Sequence, residues 1–557
     1  MKTGAKILIE SLQREGVKTI FGYPGGVVLP IYDELYNSSL QHILVRHEQA
    51  AAHAADGYAR ASGRVGVCLA TSGPGACNLV TGIATAYMDS VPVVALTGQV
   101  PTNLLGNDAF QESDITGITM PITKHNYLVK DTADLGRIVQ EAFYIAGTGR
   151  PGPVLIDIPK DVSTKVIKAP PVPDKVTMRG YNPTYHGHKR QIEKALQTLA
   201  AAERPVIYAG GGVIISGASE ELVELATQLG IPITTTLMGI GCIPCDHPLN
   251  LGMLGMHGTE YANFAITECD CLFSVGVRFD DRVTGKTDTF AAHAKIIHID
   301  IDPAEIGKNK RVDVPIVGDV KAVLQDMLSI LKKNGLKDAW LKKVKYWKQH
   351  HPLKCPSDGG LHPQFIIRQM SELLQGDAII VSEVGQNQMW TAQHFCFRHP
   401  RTWITSGGLG TMGYGFPAAM GAHFARPDLP VFDVAGDGSI QMNIQEMGTV
   451  AHYNIPVKIA ILNNRFLGMV RQWQELFYDR RYSFTELPPV EFVKIANAYG
   501  IEGVKVECPE DVMPALKASL ECDGPFVMDF RIEREENVFP MVPAGAAINE
   551  MIGGHPR

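Results

Sequence analysis

Two stretches of this chain put acids and amides where strands end, and both could do chemistry. In VFDVAGDGSIQMN, Asp437 stands directly after an apolar run, between Gly436 and Gly438. Glycines there let backbone N–H groups approach an anion, and Ser439 can open the next helix at its positive end. The following apolar run, VKIAIL, ends in Asn463-Asn464. Neighbouring parallel strands ending this way present a carboxylate beside an amide oxygen. Few, hard oxygen ligands suit Mg2+, which completes its octahedron with phosphate oxygens and water. A lone G-D-G is commonly a turn; G-D-G followed by N-N, each after a buried strand, is far more specific. The second stretch is ILVRHEQAAAHAADGYAR, residues 43–60, where Glu48 falls between a short strand and an alanine-rich helix. A carboxylate in apolar surroundings must find a partner or hold its proton. The plainer reading is an acid at a helix start.

Groups like these need rigid strand ends, and the chain supplies many. Short β-branched runs without alternation recur between helical segments, as in parallel sheets covered on both faces. TIFGYPGG, VGVCLATSGPG and GPVLIDIPKD punctuate residues 1–168; a proline-rich and polar linker covers 169–188. RPVIYAGGGV, CLFSVGVRFDD and KIIHIDIDP mark 189–345, and AIIVSEVGQNQMW, LPVFDVAGDGS and PFVMDFRIE mark 360–535, before a tail at 536–557. The reading is α/β, with three doubly wound parallel-sheet domains whose ligands bind beyond the carboxyl ends of strands.

Bulk properties narrow the partners. A length of 557 residues, with 45% hydrophobic and 20% charged residues, is ordinary for a globular protein of three to four domains. A net charge of −7 gives no electrostatic reason to expect nucleic acid or an anionic membrane. No apolar run approaches the roughly 20 residues that span a bilayer. The opening MKTGAKILIESLQREGV reads as an amphipathic helix rather than a leader, so a cytoplasmic protein is expected. The ten cysteines are scattered, as in a reduced intracellular protein, and the lone Cys242-x-x-Cys245 lacks the second pair that zinc needs.

With the metal motif in view, the whole chain resembles the acetohydroxyacid (acetolactate) synthase catalytic subunits among thiamine-diphosphate enzymes. FGYPGG, RHEQAAAHAADGYAR, TSGPGACNLVTG and DAFQESD are similar to their pyrimidine-binding domain. LGMLGMHGT and VGVRFDDRVTG are similar to their FAD-binding middle domain. GGLGTMGYGFPAA, GDGSIQMN, NNRFLGMVRQWQ and MVPAGAAINEMI are similar to their diphosphate-binding domain and C-terminal lid. Ser113 and the loop residues Arg465-Phe466 are minor departures. RFDDR accompanies FAD in the biosynthetic branch, and AFQE and the position of Trp473 are typical of it.

The resemblance implies a reaction and its residues. Pyruvate is decarboxylated on thiamine diphosphate, and its hydroxyethyl unit joins a second 2-keto acid. Pyruvate then gives 2-acetolactate and 2-oxobutyrate gives 2-aceto-2-hydroxybutyrate, the first common step of branched-chain amino-acid biosynthesis. Glu48 would donate to the aminopyrimidine, its pKa raised by dry packing of the alanines. Asp437, Asn464 and the Phe466 carbonyl would hold Mg2+. Gly25, Gly26, Gly385, Gln386, Asn387, Gly410, Met412, Gly436, Gly438, Ser439 and Met469 would surround thiamine diphosphate. Met412 is the wedge that bends the cofactor, and the Gly410 carbonyl accepts from its 4′-amino group. FAD, in a structural role, would lie against Arg150, Gly210, Gly211, Gly212, Thr236, Leu237, Met256, His257, Gly276, Arg278, Asp280, Arg282, Asp300 and Asp319. Arg282 would bind the acceptor carboxylate, Trp473 would favour 2-oxobutyrate, and Phe110, Gln111 and Lys160 would line the site. A homo-oligomer with its sites between subunits and a separate small regulatory subunit complete the implied partners.

Taken singly, these features read more plainly. Phe110 is ordinarily core, Met469, Val470 and Trp473 share one helix face that suits core, AGGGV lacks a full dinucleotide fingerprint, and Asp281-Arg282 makes a surface ion pair. Alternatives on the same scaffold are an FAD-dependent pyruvate oxidase and a catabolic acetolactate synthase; an inactive binding homologue is an alternative of another class.

Overall fold

The computed structural model describes residues 1–173, 175–331, 337–356 and 358–553. Three six-stranded, wholly parallel sheets organise it. The first orders its strands Gln41–Leu44, Thr19–Gly22, Gly66–Ala70, Val93–Gln99, Val154–Pro159 and His125–Leu128. The second runs Asn250–Met253, Ile233–Thr235, Pro205–Ala209, Cys271–Val275, Lys295–Asp300 and Val314–Val317. The third runs Trp403–Ile404, Ile379–Ser382, Val431–Gly436, Val457–Asn463, Phe526–Arg531 and Glu502–Val506. Apolar runs such as Val457–Asn463 are buried along their whole length, because helices cover both faces. A short antiparallel pair, Lys2–Thr3 with Val166–Ile167, ties the first helix to the end of its own sheet.

Counted in chain order, the first and third sheets share the strand order 2-1-3-4-6-5, whereas the middle one has 3-2-1-4-5-6. The latter is the doubly wound order of dinucleotide-binding sheets. In each, the order reverses beside the first strand, and a glycine-rich turn follows that strand: Gly25-Gly26, Gly210–Gly212 and Gly385. Ligand crevices open at such reversals.

The alanine-rich segment forms the helix Glu48–Ser62 and is buried, but not around Glu48. It crosses the third domain's helix Gly415–Ala425 backbone to backbone. A Cβ added at Gly57 would fall 2.1 Å from the Ala418 oxygen, and one at Gly421 would fall 1.8 Å from the Ala54 oxygen. Small residues thus serve close approach between two domains of one chain. The cysteine expectation needs correction, since Cys245 is bonded to Cys396, 5.3 Å away between Cα atoms. The C-x-x-C spacing drew attention to a local pair, whereas the partner comes from the third domain. Among the described residues no helix is long and apolar enough to cross a membrane.

Candidate active site

At the third sheet's reversal, the strand Val431–Gly436 delivers Asp437 into a short helix, Asp437–Ile440. Its side chain is buried, Oδ1 has no hydrogen-bond partner, and burial pushes the carboxyl up to about 7. The neighbouring strand ends at Asn463, followed by Asn464, whose Oδ1 accepts from the Phe466 amide at 3.1 Å. Arg465 between them has φ +57°, the left-handed turn that folds Phe466 back. A cation fits here: it would answer an orphaned, desolvated carboxylate oxygen. Among the described residues no cluster of three or more His, Cys, Asp or Glu side chains could hold a metal.

The turn after Ile379–Ser382 is tied into the same place. Gly385, at φ +153°, begins the helix Gln386–His394. Gln386 accepts from Asn464 Nδ2 at 3.2 Å, and Asn387 donates to the Glu383 and Val434 carbonyls. Ser439 donates not to its helix but to Glu383 at 2.6 Å, and Gly413 N donates to the same oxygen at 2.8 Å. Glu383 is fully buried, and desolvation raises its pKa. Sequence reasoning passed over it, although AIIVSEVG places an acid after an apolar strand and two residues before a glycine, a pattern close to the one that singled out Asp437.

Where the three domains meet lies a cavity of about 520 Å3 lined by every residue assigned above to FAD, by Asp89 of the first domain, and by Gly385, Gly410, Met412, Met469 and Trp473. That size is within the range of cofactor and ligand sites. The Tyr208 hydroxyl and the buried His257 Nδ1 line it without hydrogen-bond partners, and burial pushes Asp300 up to about 7. Such groups fit a polar cofactor. Gly210 and Gly212 are required by a close crossing with Gly276, since Cβ atoms there would lie 2.2 Å and 2.7 Å from its backbone. Arg278 pairs with Asp280 at 2.6 Å, and Asp280 also caps the helix Asp281–Thr284 by accepting from Arg282 N.

Arg282 reaches the cavity mouth. Its guanidinium lies 5.6 Å from the Trp473 ring centroid, while Asp281 makes only a 4.0 Å exposed contact with it. Trp473 is half-buried, with Nε1 unpartnered. The core-face reading of its helix is therefore wrong. On Gly468–Phe477 the buried pair is Arg471 and Gln472, Val470 is exposed, and Met469 and Trp473 face the cavity. Arg471 and Gln472 turn inward because the C-terminal segment supplies partners: Arg471 donates to Glu536 O and Gln472 to Val538 O. That segment then crosses to the middle domain, where Val542 N donates to Met256 O and Ala546 O accepts from Lys286 N. The last four residues of the expected lid, 554–557, lie outside the described residues.

A second group of site residues sits elsewhere, in the first domain. Glu48 is half-buried rather than dry, opens its helix, and accepts from Asn78 Nδ2 at 2.9 Å. Gly25 packs on Thr71, Gly26 borders open space, and Gly75 approaches Glu48. Gln111 (φ +58°) presses on Gly73, Phe110 is 88% exposed rather than core, and Lys160 is exposed at a helix start. None of these residues lines the cavity. The strand end before Glu48 is held from the third domain by Glu446, which accepts from Arg46 N at 2.9 Å, His47 N at 3.1 Å and the Thr449 hydroxyl at 2.6 Å. Nothing in IQEMGT distinguished that acid in the sequence.

Family models and named relatives match this chain over most of its length. Residues 2–118 match the thiamine pyrophosphate (diphosphate) enzyme N-terminal TPP binding domain, 192–327 the central domain, and 383–530 the C-terminal TPP binding domain. A probable acetolactate synthase large subunit of Methanococcus aeolicus is 52% identical over 571 residues, covering 99% of this chain and 95% of the relative. A probable large subunit of Methanocaldococcus jannaschii is 54% identical over 561 residues, covering 99% and 95%. The acetolactate synthase large subunit of Haemophilus influenzae is 48% identical over 565 residues, covering 100% and 99%. The chain therefore belongs to the acetolactate synthase large-subunit family of the thiamine pyrophosphate enzymes.

Proposed function

We propose that this protein joins a two-carbon unit from pyruvate to a second 2-keto acid, pyruvate or 2-oxobutyrate, with Mg2+ and FAD bound beside thiamine diphosphate. The observation that carries this reading is the convergence of Arg282, Trp473, Gly410 and Met412 on one cavity. Thiamine diphosphate, when bound, supplies an electron sink for the loss of CO2. Asp437, Asn464 and the Phe466 carbonyl would hold Mg2+ on its diphosphate, with Ser439 and the glycines Gly436 and Gly438 leaving room for phosphate oxygens. Glu48 would supply a proton to the aminopyrimidine. Arg282, exposed on one side, can pair bidentately with the acceptor carboxylate. Trp473 shapes the space for the acceptor's alkyl group, where one methylene is worth about 1–3 kcal/mol.

In this reading Phe110, Gln111 and Lys160 line the half-site that holds Glu48, and the C-terminal segment keeps water from the cavity. Because the Glu48 group does not line the cavity, a second copy of the chain would complete each site, making a homo-oligomer the active form. FAD performs no net redox step here and serves the packing of its cavity. A cytoplasmic location and a separate small regulatory subunit belong to the same proposal. The test is product analysis with mixed pyruvate and 2-oxobutyrate, with flavin content measured on the same sample. Both acetohydroxyacids, with one flavin per chain, are expected. Acetyl phosphate with oxygen consumption would overturn the reading in favour of an oxidase, and full activity without flavin would remove FAD from it.

A further inference from the structure

The loop 405–413 carries Gly410 and Met412 into the cavity, and the first domain of the same chain grips it. Asp89 follows the helix Val80–Met88, and its carboxylate is 2% exposed. Oδ1 accepts from Gly408 N at 2.7 Å; Oδ2 accepts from Gly407 N at 3.0 Å and from Arg60 Nη2 at 2.8 Å. Arg60 is held in turn by Asp56 at 2.6 Å and lies over the Tyr414 ring, 5.5 Å from its centroid. The Tyr414 hydroxyl donates to Asp56 at 2.5 Å, and both side chains are fully buried. Thr85 meets Thr411, hydroxyl to hydroxyl, at 2.7 Å. The loop is thus tied at 407–408, 411 and 414, on both sides of Gly410 and Met412.

A side chain at either glycine would press on the grip or on the residue behind it. A Cβ at Gly408 would fall 2.9 Å from Asp89 Oδ1, and one at Gly407 would fall 2.3 Å from the Met238 sulfur. The loop is wedged between the first domain and the middle domain. A buried ion pair contributes little net stability compared with an apolar replacement, but breaking one is costly and its geometry is specific. A carboxylate that takes two consecutive amides as a fork sets their orientation as well as their distance. We infer that Asp89, oriented by Arg60, is a positioning residue that sets the conformation of the cofactor loop in its own chain.

The inference rests on reading Gly410 and Met412 as thiamine diphosphate contacts. Its test is Asp89→Asn: the amide accepts from one glycine N–H and turns its own NH2 against the other or against Arg60. Three readouts are taken: hydrogen exchange across 405–416 before cofactor addition, the near-ultraviolet circular-dichroism bands of the bound aminopyrimidine, and kcat at saturating thiamine diphosphate. Faster exchange, altered bands and a roughly ten- to hundredfold lower kcat are expected. Thr85→Val, which leaves the ion pairs intact, should shift all three the same way by a smaller factor, and decides the question if Asp89→Asn does not fold. Wild-type exchange, bands and saturated kcat in the folded variants would overturn the inference, as would lower stability alone with kcat per folded chain unchanged. Wild-type protein that shows no thiamine-dependent bands would overturn the cofactor reading itself and this inference with it.

Discussion

Gly421→Ala tests whether the crossing of Glu48–Ser62 with Gly415–Ala425 is what aligns the two halves of the chain. The added methyl would lie 1.8 Å from Ala54 O, 2.7 Å from Ala54 C and 2.8 Å from Tyr58 N. All three are backbone atoms, so no rotamer change relieves the clash, and the helices must part by more than about 1 Å in a close-packed interior. Overpacking of this kind costs about 1–3 kcal/mol, and the rigid opposing backbone puts this site at the upper end. One helix begins with Glu48 and the other follows the loop that carries Met412, so a shift of about 1 Å moves both half-sites against the copies that would complete them and can cost about a hundredfold in rate. The assay is the thermal-inactivation midpoint together with the initial rate of acetolactate formation. Gly147→Ala is the control: its methyl meets only Val65 Cγ2, at 3.6 Å, and stability should stay within about 0.5 kcal/mol. A Gly421→Ala protein with the midpoint and rate of wild type would refute the reasoning.

Glu446, which faces Arg46, His47 and Thr449, has its carboxyl pushed up from 4.5 to about 7 by burial, against the lowering pull of those partners. The native state therefore holds a proton that the unfolded chain releases, so its stabilising share is fully present below pH 4.5 and is lost as pH rises through 7. Glu446→Gln should remove that dependence, about 3 kcal/mol in the wild-type-minus-variant stability difference between pH 4.5 and 8, and a flat difference curve would contradict it. Glu48→Gln should lower turnover roughly 10²–10⁴-fold without loss of flavin or thiamine diphosphate binding, read by steady-state kinetics and cofactor titration. Asp437→Asn should lose most of its Mg2+-dependent thiamine diphosphate affinity while flavin content per chain is unchanged. Trp473→Leu should erode the preference for 2-oxobutyrate over pyruvate by about 1–3 kcal/mol, measured as a product ratio under direct competition.

What could be read in advance was whatever the local chain dictates. Short runs rich in β-branched residues, such as VKIAIL, read as strands covered on both faces, and the glycine turns that follow such strands marked the crevices. The strand-end positions of Asp437 and Asn464 followed from the same grammar. Contacts between distant segments were not legible. Arg471 and Gln472 look like the polar face of an amphipathic helix, and they are buried only because Glu536 and Val538 offer carbonyls to them. Asp89, Glu383 and Glu446 are ordinary acids by composition, and each gains its meaning from backbone amides of another segment. Cys245 found its partner 151 residues away, which no local spacing could reveal. Glu48 itself was placed correctly at a helix start, but the alanines that seemed to shelter it serve a neighbouring domain instead.

The helix crossing carries one more consequence. Gly57 meets Ala418 and Gly421 meets Ala54, and the same sequence offset relates Gly57 to Gly421 and Ala54 to Ala418. Each helix precedes the third strand of its sheet, and the two sheets share one strand order. This is the reciprocity of an isologous contact, in which one patch meets its own equivalent about a two-fold axis, here enclosed within a single polypeptide. The two outer domains thus pack on each other through equivalent positions of equivalent helices, as the two copies in a symmetric dimer do.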